Sequence, residues 1–388
     1  MKNKGVPASK EAINELTGLL IKLYHIKTMK DTDQVMVYID GYYHLDGEKD
    51  IRSEVNQVFQ DNYTSKIFGD ILDKIQASTT ISRAEFQEPL NKINLKNGVL
   101  DIRSKGLDLH NPDFNFLYKL NIDYNPAQDC PAIKQFLHEV TANENDYQCL
   151  QEYIGYTLLS GYPFRVFLVL YGSGANGKSI FIYLIRNFIG EDNVSVVSLQ
   201  QLQADRFAPA RLYGKKANVF ADIPPLKMKS TDIIKSLTGF TDKISGEKKF
   251  KDTFEFVNGA KLIFSANQLP QVDDETDAFW NRVILIDFPN KFEGKKDDKE
   301  LIKKLTTREE LSGLLNFALQ GLDQLLKNGR FTYDHDTTYE RWQKNTEVEN
   351  PVQDFMEKCI ETRIDALATK EALYDAYVVY CHMVTKPP

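Results

Sequence analysis

Residues 172–179 read Gly-Ser-Gly-Ala-Asn-Gly-Lys-Ser and fit the pattern G-x-x-x-x-G-K-S/T of a phosphate-binding loop. An apolar run at 166–171 precedes them and a helix-like segment at 180–188 follows. The chemistry needs this context, because a buried strand aims the loop, glycines let backbone N–H groups close on phosphates, and a helix N-terminus stabilises negative charge. We therefore predict a nucleotide site at Gly172, Ser173, Gly174, Ala175, Asn176, Gly177, Lys178 and Ser179.

Three side chains are candidates for acting on ATP and Mg²⁺. Lys178 is expected to reach the β- and γ-phosphates, and Ser179 to ligate Mg²⁺. Asp222 ends the apolar segment 217–221, at a distance after the loop that suits a carboxylate holding Mg²⁺ through water. The alternative for Asp222 is ordinary turn chemistry at the end of a strand, so its catalytic role stays open on the residues alone.

Two further polar residues stand beside predicted strands. Asn267 follows the apolar segment 261–266 and is the residue type that orients water against a γ-phosphate, although an asparagine here also suits a turn cap. Arg282 directly precedes the strand-like segment 283–287. From there it can project to a subunit edge and stabilise γ-phosphate charge on a neighbour, or it can be an ordinary surface arginine.

A lysine-rich hairpin is predicted between these strands. From Lys243 to Lys251 there are four lysines and one glutamate, followed by the strand-like segment 254–256. On the residues alone, a solvated hairpin with lysines that discourage strand pairing is the simpler interpretation.

The composition is that of a globular protein. The 388 residues are 42% hydrophobic and 27% charged, with a net charge of −7, and no apolar run approaches the ~18 residues that a membrane span requires. We therefore expect a cytoplasmic protein with no membrane partner. The four cysteines form no C-x-x-C pair, so neither a zinc site nor a disulfide framework is expected. Global acidity does not exclude a local basic site.

From residue 166 onward, strands alternate with helices, which favours an α/β fold with a largely parallel sheet. The predicted strands are 166–171, 194–197, 217–221, 261–265 and 283–287. We predict four regions: a mixed, largely helical N-terminal domain at 1–125, an ATPase core with a preceding helical collar at 126–305, a helical extension at 306–349 and a terminal segment at 350–388. Helices are predicted at 133–140 and 147–159, and a hairpin with an Asn97-Gly98 turn at 93–102.

Taken in order, these motifs resemble those of the superfamily-three helicases, and most closely the phage and plasmid primase-helicase family that includes the poxvirus primase-helicase. The resemblance covers residues 95–289. The phosphate loop resembles motif A, Ala221-Asp222 motif B, 235–251 motif B′, and 264–270 motif C. Residues 279–282, Phe-Trp-Asn-Arg, resemble the family's aromatic-arginine segment.

This resemblance implies an AAA+-like, additional-strand P-loop ATPase that forms a hexameric ring and moves 3′ to 5′ along one DNA strand. Single-stranded and forked DNA, other copies of the chain, and an initiator, primase or loader protein are the implied partners. The resemblance also makes three lysines of the hairpin candidates for contacting the DNA backbone: Lys248, Lys249 and Lys251.

The chain departs from the family pattern at three places. Ala221 stands beside Asp222 where a second acid is common. Asn281 stands where a second arginine is common, which leaves Arg282 as the better candidate for the arginine finger, the residue that contacts the γ-phosphate bound by a neighbouring subunit. Segment 350–388 resembles the start of a winged helix but contains no recognition helix or wing, and the two interpretations are a truncated chain and a degenerate domain.

Two function classes compete with an ATP-dependent replicative helicase of a phage, plasmid or mobile element. An ATP-dependent initiator or loader would assemble on an origin without unwinding it, and unwinding coupled to hydrolysis separates the two. A P-loop small-molecule kinase would explain the phosphate loop, but it would explain neither the lysine hairpin nor Asn267.

Overall fold

The computed structural model describes residues 7–228, 230–249, 252–292, 294, 298–346, 352, 355–356, 359–361 and 367–383. The chain forms two compact units, Met1–Thr338 and Tyr339–Pro388. The first unit contains every predicted site residue that the structure describes.

The N-terminal region combines three helices with two small sheets. Its elements are α1 (Lys10–Leu23), β1 (Lys27–Met29), β2 (Val35–Ile39), β3 (Tyr42–His44), α2 (Gly47–Phe59), α3 (Ser65–Ser78), β4 (Thr80–Ile81), β5 (Lys92–Leu95), β6 (Gly98–Asp101) and β7 (Leu107–Asp108). The sheets have the orders β3-β2-β1-β4 and β5-β6-β7. The predicted hairpin at 93–102 is confirmed, but Leu95 already pairs with Gly98, so the two-residue loop is Lys96-Asn97.

Two collar helices follow, α4 (Pro131–Val140) and α5 (Glu144–Tyr156), near the predicted positions. The backbone of α5 lies directly against α11 (Arg308–Asn328), because Gly155 has no side chain. A Cβ on Gly155 would lie 2.8 Å from the backbone nitrogen of Leu322. Any larger residue at this position would therefore separate the two helices.

The remaining elements of the first unit form a second α/β region. They are β8 (Phe167–Tyr171), α6 (Lys178–Ile189), β9 (Val194–Ser195), α7 (Leu199–Ala204), β10 (Ala217–Phe220), α8 (Asp232–Leu237), β11 (Lys243–Gly246), β12 (Phe254–Val257), β13 (Lys261–Ala266), α9 (Asp277–Trp280), β14 (Val283–Asp287) and α10 (Leu301–Leu305). Each of the five strands predicted for the sheet is present, with bounds within two residues of the prediction.

The central sheet has the order β14-β8-β13-β10-β9, and all of its neighbouring strands are parallel. The predicted α/β fold with a parallel sheet is confirmed. Every residue of β13 is buried, as expected for a strand at the centre of a parallel sheet with apolar faces. Strand β13 separates β8 from β10, although it comes later in the chain than both.

The predicted lysine hairpin is also present, as the antiparallel pair β11–β12. Phe254 and Phe256 alternate inward from β12 and pack on the ring of Tyr213, at 5.2 and 5.5 Å between ring centroids. The guanidinium of Arg83, from the N-terminal region, lies 4.7 Å from the centroid of the Phe254 ring. Contacts of the aromatic rings of β12 therefore anchor the hairpin to its own subunit.

The second unit includes most of α12 (Thr338–Thr346) together with α13 (Lys370–Met383). The predicted winged-helix resemblance at 350–388 falls partly outside the described residues, which in that segment include α13. Among the helices that the structure describes, none combines the length and the apolar character needed to cross a membrane.

Candidate nucleotide-binding site

The phosphate loop joins the end of β8 to the start of α6. Gly177 has a left-handed backbone (φ +87°) and α6 begins at the next residue, so the first N–H groups of the helix face the loop. A Cβ on Gly172 would overlap the Asn176 side chain and lie 2.7 Å from the carbonyl oxygen of Phe288. The Nδ2 of Asn176 donates to that same carbonyl at 3.0 Å, which fixes the loop to the end of β14.

The buried ammonium of Lys178 donates to three protein oxygens. These are the carbonyl of Gly172 at 2.6 Å, Oδ1 of Asn176 at 2.9 Å and Oδ1 of Asn267 at 2.9 Å. Burial lowers the pKa of Lys178, and the negative charge of Asp222 opposes that shift. A phosphate oxygen can contact this ammonium only by replacing one of the three partners.

Asn267 connects the lysine to the carboxylate. Its Nδ2 donates to Oδ1 of Asp222 at 2.9 Å, while its Oδ1 accepts from Lys178. A continuous chain of charged and polar groups therefore crosses the ends of β8, β13 and β10. The structure brings together three of the four predicted catalytic residues.

Asp222 is held in an unusual backbone conformation. Its φ is +56°, in the left-handed region, which aspartate tolerates better than most residues with a Cβ. The backbone N–H of Asp222 donates to Oγ of Ser265 at 3.1 Å, and the N–H of Ile223 donates to the Ser265 carbonyl at 2.8 Å. Strand β13 thus fixes the turn that carries this carboxylate.

These groups line a cavity of about 650 Å³. The volume lies within the range of small-molecule sites in proteins. Collar helix α4 contributes Phe136 and Glu139 to its wall, and the start of α10 contributes Leu301. The cavity is therefore built from two regions that are far apart in sequence.

Three features of this site were not predicted from the sequence: the clamping role of one residue of the predicted loop, one residue of β13 and the wall formed by α4. Asn176 occupies a variable position of the loop pattern, so spacing gives no signal for its role as a clamp. Ser265 is a single small residue inside an apolar strand. On α4, Phe136 has the character of an ordinary core residue and Glu139 that of an ordinary surface residue, so neither indicates a position beside the loop.

The oxygen atoms at this site fit a magnesium ion. The hydroxyl of Ser179 and the carboxylate of Asp222 both line the cavity, and Ser179 is exposed. Mg²⁺ prefers oxygen ligands and usually retains several waters beside one or two protein ligands and the substrate phosphates. Both predicted metal-binding residues are thus available to such an ion.

Arg282 lies at the opposite end of the sheet from the phosphate loop. Val283 pairs with Phe167, at the start of β8. The length of β8, roughly 13 Å, therefore separates Arg282 from the phosphate loop of its own subunit. Burial lowers the pKa of Arg282, the charge of Arg165 lowers it further, and Asp242 raises it. Its Nη1 donates to the carbonyl of Ala278. The structure therefore does not bring Arg282 to the phosphates of its own chain.

Two of the three candidate DNA-binding lysines, Lys248 and Lys249, lie near the tip of the β11–β12 hairpin, and Lys251 lies outside the described residues. The ammonium of Lys248 is 5.8 Å from the centroid of the Phe254 ring, and Lys249 is exposed. Lys243, at the base of the hairpin, forms an ion pair with Glu255 at 3.0 Å. Positive charge is thus present near the exposed tip of the hairpin.

Two family models match the chain. Residues 6–142 match the model described as "D5 N terminal like", and residues 170–282 match a model described as a family of unknown function, DUF5906. The second match begins at the end of β8 and ends at Arg282, so it spans the whole phosphate loop together with Asp222 and Asn267.

Curated relatives of viral origin are also similar. "Putative helicase V13" of Sputnik virophage is 24% identical over 218 residues, covering 48% of this chain and 28% of that protein. "Putative helicase 184R" of Invertebrate iridescent virus 6 is 27% identical over 147 residues, covering 35% of this chain and 15% of that protein. These curated relatives are thus matched over no more than 28% of their own length.

The fold is shared with a solved structure. The apo structure of the NrS-1 C-terminal region aligns with a TM-score of 0.58 at 14% identity, covering 97% of this chain and 91% of the other. The fold is mixed α/β with a central parallel sheet, and the matched viral relatives are named putative helicases. Together with the family models, the relatives support a phage and viral primase-helicase-like family, which confirms the resemblance seen in the motifs.

Proposed function

We propose that this protein is an ATP-dependent replicative DNA helicase of a phage, plasmid or other mobile element. It assembles into a hexameric ring and moves 3′ to 5′ on single-stranded DNA. ATP hydrolysis at the phosphate loop supplies the free energy, and the hairpin lysines hold the DNA backbone. The names of the viral relatives and the shared fold support this proposal.

One observation carries the proposal. Lys178, Asn267 and Asp222 form an unbroken hydrogen-bonded chain. The chain lies at the ends of three adjacent strands, in which β13, followed by Asn267, lies between β8 and β10. A loop that only binds phosphate needs the lysine alone. An amide and a carboxylate beside it are what hydrolysis requires, because water must be oriented and the metal held.

Each residue then has a distinct role. Lys178 stabilises the negative charge that develops on the transferred phosphoryl group, and the N-terminus of α6 holds the neighbouring phosphates. Ser179 and Asp222 would hold Mg²⁺, which would supply neutralisation of the phosphate charge. Asn267 orients the attacking water.

Arg282 completes the site of a neighbouring subunit in this proposal. It lies at the far end of the sheet from its own loop, so it can serve a phosphate only in another copy of the chain. A homohexameric ring provides such an interface between every pair of neighbours. Lys248, Lys249 and Lys251 then line the channel through which the DNA passes.

The test is Lys178→Ala, with Lys303→Ala as a matched control at a lysine that is 77% exposed. We expect Lys178→Ala to abolish ATP hydrolysis and the control to keep it. Both proteins should remain folded, because the free-energy cost of burying the Lys178 ammonium offsets the hydrogen bonds that the substitution removes. The readouts are phosphate release with and without single-stranded DNA, and strand separation of forks with a 3′ or a 5′ tail.

Three outcomes separate the candidate functions. Retained hydrolysis in Lys178→Ala would show that the nucleotide site is wrong. DNA-stimulated hydrolysis without strand separation would favour an initiator or loader. Hydrolysis that is indifferent to DNA would contradict both and leave a small-molecule phosphotransferase as the better candidate.

A further inference from the structure

The segment that follows Asn267 is attached to the chain that leads into α8. Residues 268–276 connect β13 to α9, and Met228 pairs with Val272 in an isolated parallel bridge. The N–H of Met228 donates to the carbonyl of Gln271 at 2.9 Å. The segment after Asn267 and the chain before α8 are thus hydrogen-bonded to each other.

Asp274 is the centre of this attachment, and its side chain is only 15% exposed. One carboxylate oxygen accepts hydrogen bonds from Thr231 and from Lys235, the latter at 3.0 Å. The other accepts from the N–H of Thr276 at 2.9 Å, and the backbone carbonyl of Asp274 accepts from Trp280 at 2.6 Å. Burial raises the pKa of Asp274, but the hydrogen bonds outweigh it and hold the pKa well below its usual range.

The other end of α8 is attached to the base of the hairpin. Asn258, which directly follows β12, is buried, and its Nδ2 donates to the carbonyl of Leu237 at 2.8 Å and to that of Ala260 at 3.1 Å. The first strand of the hairpin, β11, begins shortly after α8 ends. Helix α8 is thus held at its start by the segment after Asn267 and at its end by the hairpin.

We propose that α8 is a lever that couples the nucleotide site to the lysine hairpin, with Asp274 and Asn258 as its positioning residues. The inference rests on the proposed function. A γ-phosphate that replaces Asn267 as a partner of Lys178 releases the Asn267 side chain and shifts the 268–276 segment. Asp274 pulls the start of α8 with it, and Asn258 transmits the displacement to the hairpin. The same connection lets DNA on the hairpin change the rate of hydrolysis.

The test compares Asp274→Asn with Asp273→Asn, its neighbour, which is 69% exposed and pairs with Lys227 on the surface. We expect both variants to keep basal ATP hydrolysis and single-stranded DNA affinity within about threefold of the natural protein. Asp274→Asn should lower the stimulation of hydrolysis by DNA ~5-fold or more, the lower end of typical coupling between sites, and slow unwinding equally. Asp273→Asn should change neither.

Two additional variants distinguish coupling from a general structural role. Asp274→Glu keeps the negative charge and should restore part of the stimulation. Lys235→Met removes one partner of Asp274 and should reduce stimulation by itself, with little further loss when combined with Asp274→Asn. If Asp274→Asn does not fold, Lys235→Met gives the same comparison.

Unchanged stimulation in Asp274→Asn and in Lys235→Met would overturn the lever while leaving the proposed function intact. Equal losses of basal and stimulated hydrolysis in both variants would also overturn it, because they would show a structural role. If the natural protein hydrolyses ATP without any response to DNA, the proposed function fails first and the lever fails with it.

Discussion

The clearest test of the site chemistry is the removal of the Asn267 side chain. Asn267→Ala deletes the amide that joins Lys178 to Asp222 and the group proposed to orient water. Loss of one preorganised polar contact to a transition state typically lowers kcat ~10²–10³-fold, and we expect a fall of that size in ATP hydrolysis. Nucleotide affinity should change little, since the phosphate loop remains intact.

The cost to folding should be small. The residue is exposed, so its two hydrogen bonds are partly solvated, and we expect the free energy of unfolding to fall by about 1 kcal/mol. Thermal unfolding therefore separates a catalytic defect from a loss of structure. Asn267→Asp keeps the shape but places a second carboxylate beside Asp222 and the γ-phosphate, and its hydrolysis should be at least as low.

The assay is steady-state phosphate release with saturating ATP and Mg²⁺, together with equilibrium binding of a fluorescent nucleotide analogue. Gln268→Ala, one residue further along the same segment, is the matched control. Hydrolysis by Asn267→Ala within about threefold of the control would refute the role of this amide. A parallel loss of nucleotide affinity would instead place Asn267 in binding.

Three other results are expected. Replacing the hairpin lysines by alanine should weaken single-stranded DNA binding while basal hydrolysis persists. The slope of the logarithm of the binding constant against the logarithm of salt concentration should become shallower by up to ~0.7 for each phosphate that the lysines no longer neutralise. An unchanged slope would contradict the DNA assignment. Mixing Arg282→Ala with Lys178→Ala protein should restore some hydrolysis, because some interfaces of a mixed ring pair an intact phosphate loop with an intact Arg282. If subunits exchange and no hydrolysis is restored, Arg282 does not act between subunits. Burial, then the charge of Lys216, lowers the pKa of Lys261 far below normal, whereas Glu88 raises it. The unfolded chain therefore binds more protons than the folded one, and stability should rise with pH from that lowered pKa up to about 10.4. Urea titrations of Lys261→Met should show a flatter rise, and an identical pH profile would contradict the shift.

Much of the local structure follows from the sequence. The apolar runs, the glycines at 172–177 and the polar residues that end two strands are enough to predict a phosphate loop between a strand and a helix, and parallel strands around it. The strand 283–287 has the predicted bounds. These features depend on contacts between near neighbours, which a linear pattern records.

For the hairpin at 93–102, the sequence pattern predicts the two strands but not their exact register. An Asn-Gly pair predicts the turn, but the pairing of Leu95 with Gly98 moves the loop back by one residue. The strands are so short that cross-strand contacts, and not the turn residues alone, decide their register.

The assembly of the site was decided by the tertiary structure. Strand β13 enters the sheet between β8 and β10, and only this placement brings Asn267 between Lys178 and Asp222. The sequence determined that Asp222 and Asn267 each follow a strand and that Lys178 opens a helix, since these positions depend on local pattern. Strand order depends on packing between segments far apart in the chain, as does the position of helix α4 at the cavity, so no local spacing could reveal either.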